Sequence, residues 1–351
     1  MIAAQIKLLQ DDCKKSCTSI ASIEAIRHQT ILITGGTGFM GKWLAEMISF
    51  LNDNHNFNIK TYLLARNIEQ FKMEVPHLAK KSYFHFIEQD IRSLFEIPQD
   101  INYIIHAAGS PDSSEHSSQP IKTIETFVKG TNSLLEASFR LPDLKKFLHI
   151  SSHQVYGNVE SAEKIKETTQ GKSDCYSLNS IYSEAKRIAE TYCSIYRNQY
   201  RLPVVVARPF AFLGPYQSLN KHWAINSFIR DGLMGNSIRI LGNENTVRSY
   251  LYGSDMAFWL LNILVNSTAG ECYNLGSNSG INLKDLAEKI KSKLNNNISI
   301  VTKSSKENYA DTSILVPDNS KIISRLNVSE NYTIDEALAR TIAWNQAINN
   351  F

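Results

Sequence analysis

Short apolar runs alternate with amphipathic stretches from residue 30 onward, which predicts an α/β fold. The expected architecture is a doubly wound parallel sheet carrying a smaller mixed α/β lobe on its C-terminal side. Two observations sharpen this. A glycine-spaced turn, Gly35-Gly36-Thr37-Gly38-Phe39-Met40-Gly41, joins the first apolar run to the first helical pattern. After Pro209 the alternation loses its regularity, and short strands mix with helices.

Residues 1–28 precede the first strand. Ile2, Ile6 and Leu9, then Ile20, Ile23 and Ile26, recur at helical spacing. They predict a helical extension packed on the main body or on another subunit. Thr30–Thr34 is short and apolar, as a buried strand must be, and Phe39–Leu51 reads as a helix. Strands follow at Lys60–Ala65, Tyr83–Ile87 and Asn102–Ala107. Ile121–Arg140 reads as helical, Lys145–Ser151 as a strand, Leu178–Tyr200 as a long helix and Pro203–Arg208 as the sixth strand. Residues 29–208 are thus expected to form the first domain. Residues 209–351 are expected to form mainly the second lobe, with strands at Ser237–Leu241, Glu271–Leu275 and Ile298–Val301. Its helices are expected near Ala224–Met234, Ser254–Val265, Leu283–Leu294 and Ile334–Ala347. Pro111–Pro120, Asn295–Asn297 and Ser304-Ser305 read as loops.

The 351 residues suffice for a sizeable core. A net charge of +3, with no basic run, gives no case for nucleic acid. No apolar stretch is long enough to span a membrane, and the N-terminus lacks a signal-peptide pattern, so a cytoplasmic location is expected. The five cysteines are scattered and read as reduced thiols. Cys13 and Cys17 could share a helix face, but no ligand cluster stands near them, and no metal is expected.

The glycine turn follows a strand and opens a helix. Gly35, Gly38 and Gly41 allow a tight turn, close approach to a pyrophosphate and close helix packing. The helix N-terminus favours phosphate charge. Gly35, Thr37, Gly38, Phe39, Met40 and Gly41 are therefore candidate cofactor contacts. The second strand ends in Ala65-Arg66-Asn67, without the acid that would hold an NAD ribose. Arg66 can pair with a 2′-phosphate, so NADP is the expected cofactor, with NAD the alternative. Asp90 and Ile91 follow the third strand, where a carboxylate can meet an adenine amino group. Ala107 and Ala108 end the fourth strand and are small enough for backbone to lie against a cofactor.

Tyr182 and Lys186 are four residues apart on the long helix and share a face. An ammonium close to a phenol is expected to lower its pKa and equip it for proton transfer.

The glycine loop, Ser151-Ser152-His153-Gln154-Val155-Tyr156-Gly157, Tyr182-x-x-x-Lys186, Arg208-Pro209-Phe210-Ala211 and Arg248-Ser249-Tyr250 occur in that order. Together they resemble the extended short-chain dehydrogenase/reductase family, in particular its nucleotide-sugar epimerases, 4,6-dehydratases and 4-keto reductases. The resemblance covers roughly residues 29–290 and implies a Rossmann-type domain. By it, Ser152, Tyr182 and Lys186 form a catalytic triad, and Lys186 also holds the nicotinamide ribose. Arg248 would clamp the nucleotide diphosphate, and a nucleotide-diphosphate sugar would be the substrate. A homodimer is expected from the family, through a helix pair including the Tyr182 helix. Ile181, Ile188, Tyr192 and Ile195 could supply that face or be core contacts. Asp255 reads as a residue that helps start the next helix.

Three positions depart from the family pattern. His153 and Gln154 stand where hexose 4,6-dehydratases place an Asp-Glu pair. Glutamine cannot abstract a proton, while His153 could act as acid or base and is a candidate substrate contact. Ala211 and Phe127 replace asparagines frequent in relatives. These features favour a 4-keto-sugar reductase, with a 4-epimerase as the alternative and a 4,6-dehydratase behind both. A non-catalytic dinucleotide-binding protein is the alternative of another class. It would have no need of the intact Ser152, Tyr182 and Lys186.

Overall fold

The computed structural model describes residues 3–94, 96–159, 163–294, 297–302 and 313–349. The readings placed on Ile2, on Asn295 and Asn296, and on Ser304-Ser305 lie outside the described residues.

The first six strands are β1 (Thr30–Thr34), β2 (Lys60–Ala65), β3 (Phe84–Glu88), β4 (Tyr103–His106), β5 (Lys146–Ile150) and β6 (Val204–Pro209). All run parallel, in the order β6-β5-β4-β1-β2-β3. Every residue of β1 is buried, as expected of a strand covered on both faces. It pairs with β2 on one side and β4 on the other, so the order reverses at β1. In such sheets ligands sit at that reversal, beyond the carboxyl ends of the strands.

Helices cover the sheet. α1 (Ala3–Ser16) belongs to the N-terminal extension, and α2 (Phe39–His55) follows β1. α2 stops at Asn56, whose left-handed φ of 53° closes the last turn. α3 (Ile68–Glu74) and α4 (Pro76–Ala79) fill the β2–β3 connection. The serine-rich segment read as a loop holds α5 (Ser113–Ser118), and α6 (Pro120–Ile124) begins at its last residue. Asp112 caps α5 by accepting the Ser114 amide. The helix expected over Ile121–Arg140 is interrupted: a wide π-turn at Glu125–Lys129 separates α6 from α7 (Gly130–Ser138). That turn buries Phe127.

α8 (Ile181–Tyr200) follows β5 after a long connection. Tyr182, Ala185, Lys186, Ala189 and Cys193 form its buried stripe. The stripe turns Tyr182 and Lys186 into the protein.

The C-terminal lobe contains β7 (Ala211–Leu213), α9 (Ala224–Leu233), β8 (Ile238–Ile240), β9 (Val247–Tyr252) and α10 (Gly253–Asn266). β10 (Cys272–Leu275), β11 (Gly280–Asn282), α11 (Leu283–Lys293), β12 (Ile300–Thr302), β13 (Ile314–Leu315), α12 (Ser320–Leu326) and α13 (Ile334–Asn349) complete it in sequence. β9 pairs with β7, β11 and β13, and β8 pairs with β12. β10 does not stay in the lobe. It pairs in parallel with β6 and becomes the seventh strand of the main sheet. No clean boundary therefore falls at Arg208, because the chain returns to the first sheet after Pro209.

The extension packs on the main body, as expected. α1 lies against α2 and α10, with Leu9 and Cys13 buried between them. Asp12, also on α1, is fully buried. The phenols of Tyr252 and Tyr332 donate to its carboxylate at 2.7 and 2.8 Å, and Arg340 pairs with it. Burial outweighs these partners and pushes the Asp12 carboxyl up to about 6. Asp255 stands in the first turn of α10 but gives it no side-chain cap. It accepts from the Ser16 hydroxyl at 2.6 Å and the Asn331 amide at 2.8 Å, tying α1 to the segment before α13.

Candidate active site

The glycine turn is held against the ends of β2 and β4. Gly35 has φ +69°, and a Cβ there would lie 2.6 Å from the Ala107 carbonyl oxygen and 2.9 Å from Ala108 Cα. This contact explains the small residues at 107 and 108: loop backbone rests directly on them. Gly41 acts differently from its neighbours. Its Cβ would meet the Gly36 carbonyl at 2.4 Å, so it packs α2 against the turn and does not face the cavity.

One cavity of about 1470 Å³ opens over the carboxyl ends of the strands. Sites for a single small molecule run to roughly 300–1,000 Å³, so this one has room for two ligands. Gly35, Thr37, Gly38, Phe39 and Met40 line one end, with Arg66, Asp90, Ile91, Ala107 and Ala108 beside them. Ser152, His153, Tyr182 and Lys186 line the middle, and Arg248 the opposite wall. Residues separated by two hundred positions in sequence thus share one space. The turn suits a dinucleotide: a Cβ at Gly35 would clash, backbone amides precede a helix, and a sheet reversal lies below.

Asp90 is paired with Arg92 at 2.8 Å, which holds its carboxyl down at about 2. It remains an anion at the Arg66 end of the cavity. Arg66 is exposed at the cavity rim, where its charge also acts on Asp90. Arg248 donates to the Val247 and Ser313 carbonyls at 2.8 and 3.0 Å, which aims it across β9.

The lowering of the Tyr182 pKa expected from Lys186 is not found. Burial pushes the Tyr182 phenol up to about 12, opposed only by its hydrogen bond with Ser152. Lys186 turns its ammonium to the Ile150 carbonyl at 2.7 Å and lies 4.3 Å over the Phe127 ring. Burial brings its own pKa down to about 7. Helical spacing put both residues on one face but did not give the direction of the ammonium. Ser152 accepts the Gln154 amide at 3.2 Å, which leaves its own proton for donation.

His153 lies on Phe210, ring centres 5.1 Å apart, and its Nδ1 donates to the Pro209 carbonyl at 3.1 Å. Burial holds its pKa at about 4, so it carries no spare proton at neutral pH and is not an acid there. Its Nε2 is left as an acceptor, which suits a sugar hydroxyl.

Two residues escaped sequence reasoning. His116, on α5, stacks on Tyr182 with ring centres 4.4 Å apart and planes within 10°. Lys221, before α9, lines the cavity and pairs with Asp112. The Asp112-x-x-Glu115 spacing is a helix-start signal that marks α5, though nothing in it indicates the stacking. Phe127 meets the Tyr182 ring edge-on at 5.1 Å, filling the place of the frequent asparagine.

Comparison with known proteins agrees with this geometry. The model of the NAD dependent epimerase/dehydratase family matches residues 31–276. UDP-glucuronic acid decarboxylase 1 of Danio rerio is 29% identical over 265 residues, covering 76% of this chain and 60% of that protein. A dTDP-D-glucose 4,6-dehydratase of Dictyostelium discoideum is 31% identical over 271 residues, covering 75% and 61%. The chain thus spans about three fifths of the length of these two relatives. UDP-glucose 4-epimerase of Thermotoga maritima, solved with UDP-glucose, superposes with a TM-score of 0.76 at 22% identity, covering 91% and 99% of the chains. UDP-glucuronic acid 4-epimerase of Bacillus cereus, solved with UDP-glucuronic acid and NAD, gives 0.76 at 22%, covering 91% and 100%. Sheet order, glycine turn and family match lead to one conclusion: this chain belongs to the NAD dependent epimerase/dehydratase family, within the extended short-chain dehydrogenases/reductases.

Proposed function

We propose that this protein carries out hydride transfer at C4 of a nucleotide-diphosphate sugar, and that its net reaction is reduction of a 4-keto sugar with NADPH. The carrying observation is that Ser152, Tyr182 and Lys186 converge on a two-ligand cavity while His153 and Gln154 occupy the places of the dehydratase acids. The nicotinamide, when bound, supplies or accepts the hydride. Gly35, Thr37, Gly38, Phe39, Met40 and Asp90 would hold its dinucleotide, and Lys186 its ribose. Gly41 supports them from behind.

Tyr182 gives its phenolic proton to the C4 oxygen as the carbonyl becomes an alcohol. A phenol at about 12 stays protonated at neutral pH, which suits a donor better than a base. Ser152 donates to the same oxygen and orients it. His153 Nε2 accepts from a sugar hydroxyl, and Arg248 pairs with the diphosphate. Arg66 supports NADP, since it stands at the adenosine end without a neighbouring ribose-binding acid on β2.

A second reading is 4-epimerisation with retained NAD. It is favoured by the 4-epimerases among the fold neighbours, one of them solved with NAD. It requires Tyr182 to take a proton as well as give one.

Mixing the protein with NADPH and dTDP-4-keto-6-deoxyglucose, and separately with UDP-glucose and UDP-glucuronic acid, separates the readings. Stoichiometric loss of NADPH absorbance with a 4-hydroxy product by NMR supports reduction. Inversion at C4 without NADPH loss supports epimerisation. Release of carbon dioxide from UDP-glucuronic acid, or a 4-keto-6-deoxy product formed from UDP-glucose, overturns both.

A further inference from the structure

We infer that His116 is a positioning residue for Tyr182, held in place by an ion pair between Asp112 and Lys221 that joins the two walls of the cavity. The inference rests on the proposed C4 chemistry. His116 is buried, its ring parallel to the Tyr182 phenol at 4.4 Å, with Phe127 edge-on to both. Its Nε2 donates to the Ser110 carbonyl at 2.7 Å, which fixes the imidazole plane. A phenol clamped between a parallel ring and a perpendicular one has one ring orientation available. Proton transfer to a sugar oxygen depends on that orientation.

The support for His116 comes from the other lobe. Asp112 caps α5 through the Ser114 amide at 3.1 Å and hydroxyl at 2.8 Å, using Oδ1. Its second oxygen pairs with Lys221, which lies on the loop between β7 and α9. Lys221 itself lines the cavity. This cavity-lining loop of the C-terminal lobe is thereby connected to the ring stacked on the Tyr182 phenol.

The test uses the full chain and whichever sugar nucleotide is turned over in the panel above, with Tyr182→Phe as reference. His116→Ala is expected to lower kcat by roughly 10- to 100-fold, as small misplacements of reacting groups do, with KM and cofactor affinity near wild type. His116→Phe keeps the stack and is expected to recover most of that loss. Lys221→Ala and Asp112→Asn, which retains the cap but not the charge, are expected to lower kcat in the same manner but less. Both change partly exposed groups and read out the inference even where His116→Ala does not fold. Wild-type kcat in Lys221→Ala and Asp112→Asn overturns the role of the ion pair. Wild-type kcat in His116→Ala, or a His116→Phe no better than His116→Ala, overturns the positioning role while Tyr182→Phe stays inactive. An active Tyr182→Phe overturns the proposed function itself, and this inference with it.

Discussion

A buried lysine bonded to a carbonyl, with no ion pair among the described residues, is costly to keep charged, and Lys186 is such a residue. Its pKa falls to about 7 in the fold, against 10.5 ordinarily. Between those values the unfolded chain binds the proton and the folded chain does not. Without cofactor, stability should therefore rise with pH across that window, and the full penalty should be present below pH 7. Lys186→Met removes the charge to be buried. Urea denaturation at several pH values is expected to show a flatter profile and higher stability than wild type on the acid side. Arg66 makes a separate prediction. Loss of charge-assisted bonds to a phosphate costs about 1.5–3 kcal/mol, or roughly 10- to 100-fold in affinity. Arg66→Ser should weaken NADPH binding by that factor and leave NADH unchanged, as read by fluorescence titration. Equal effects on both cofactors would remove the case for NADP.

The elements that frame the site were mostly visible in the chain. β1, α2, β2 and α8 were readable because apolar runs and helical stripes have fixed periods. The π-turn at Glu125–Lys129 was not, because its residues are ordinary helix formers and only packing against Tyr182 and Gly109 accounts for it. A Cβ at Gly109 would lie 2.1 Å from the Phe127 ring, so glycine and phenylalanine are matched across the cavity. β10 was read as a strand of the C-terminal lobe, and its pairing with β6 was not legible because a short apolar strand carries no label for its partner. α1 was readable as a helix, but not its buried Asp12 and Ser16, which tie it to Tyr252, Tyr332 and Asp255. Leu9, on the inner face of this helix, is fully buried. Leu9→Ala should cost about 2–5 kcal/mol by urea denaturation. A cost near zero would mean that α1 is not part of the cooperative fold.

At the level of the whole chain, exposed apolar side chains remain on two adjacent helices. Ile121 and Ile124 on α6 are 75% and 43% exposed, and Ile188 and Ile195 on α8 are 44% and 38% exposed. Tyr192 instead packs on a buried cluster that includes Leu134, Phe147 and Cys193, and Ile181 is half-buried. We propose a homodimer through this face. Ile121→Glu with Ile188→Glu should shift the mass from dimer to monomer in sedimentation equilibrium, and a wild-type monomer would exclude it. Among the described residues, no helix is long and apolar enough to cross a membrane. Local patterns in the chain were enough for the parallel sheet, the dinucleotide turn and the Tyr182–Lys186 face, because each follows from spacing between near neighbours. The direction of the Lys186 ammonium, the stacking of His116 and the crossing of β10 into the main sheet needed the folded molecule. Each is set by contacts between residues far apart in sequence, where spacing carries no information about distance or orientation.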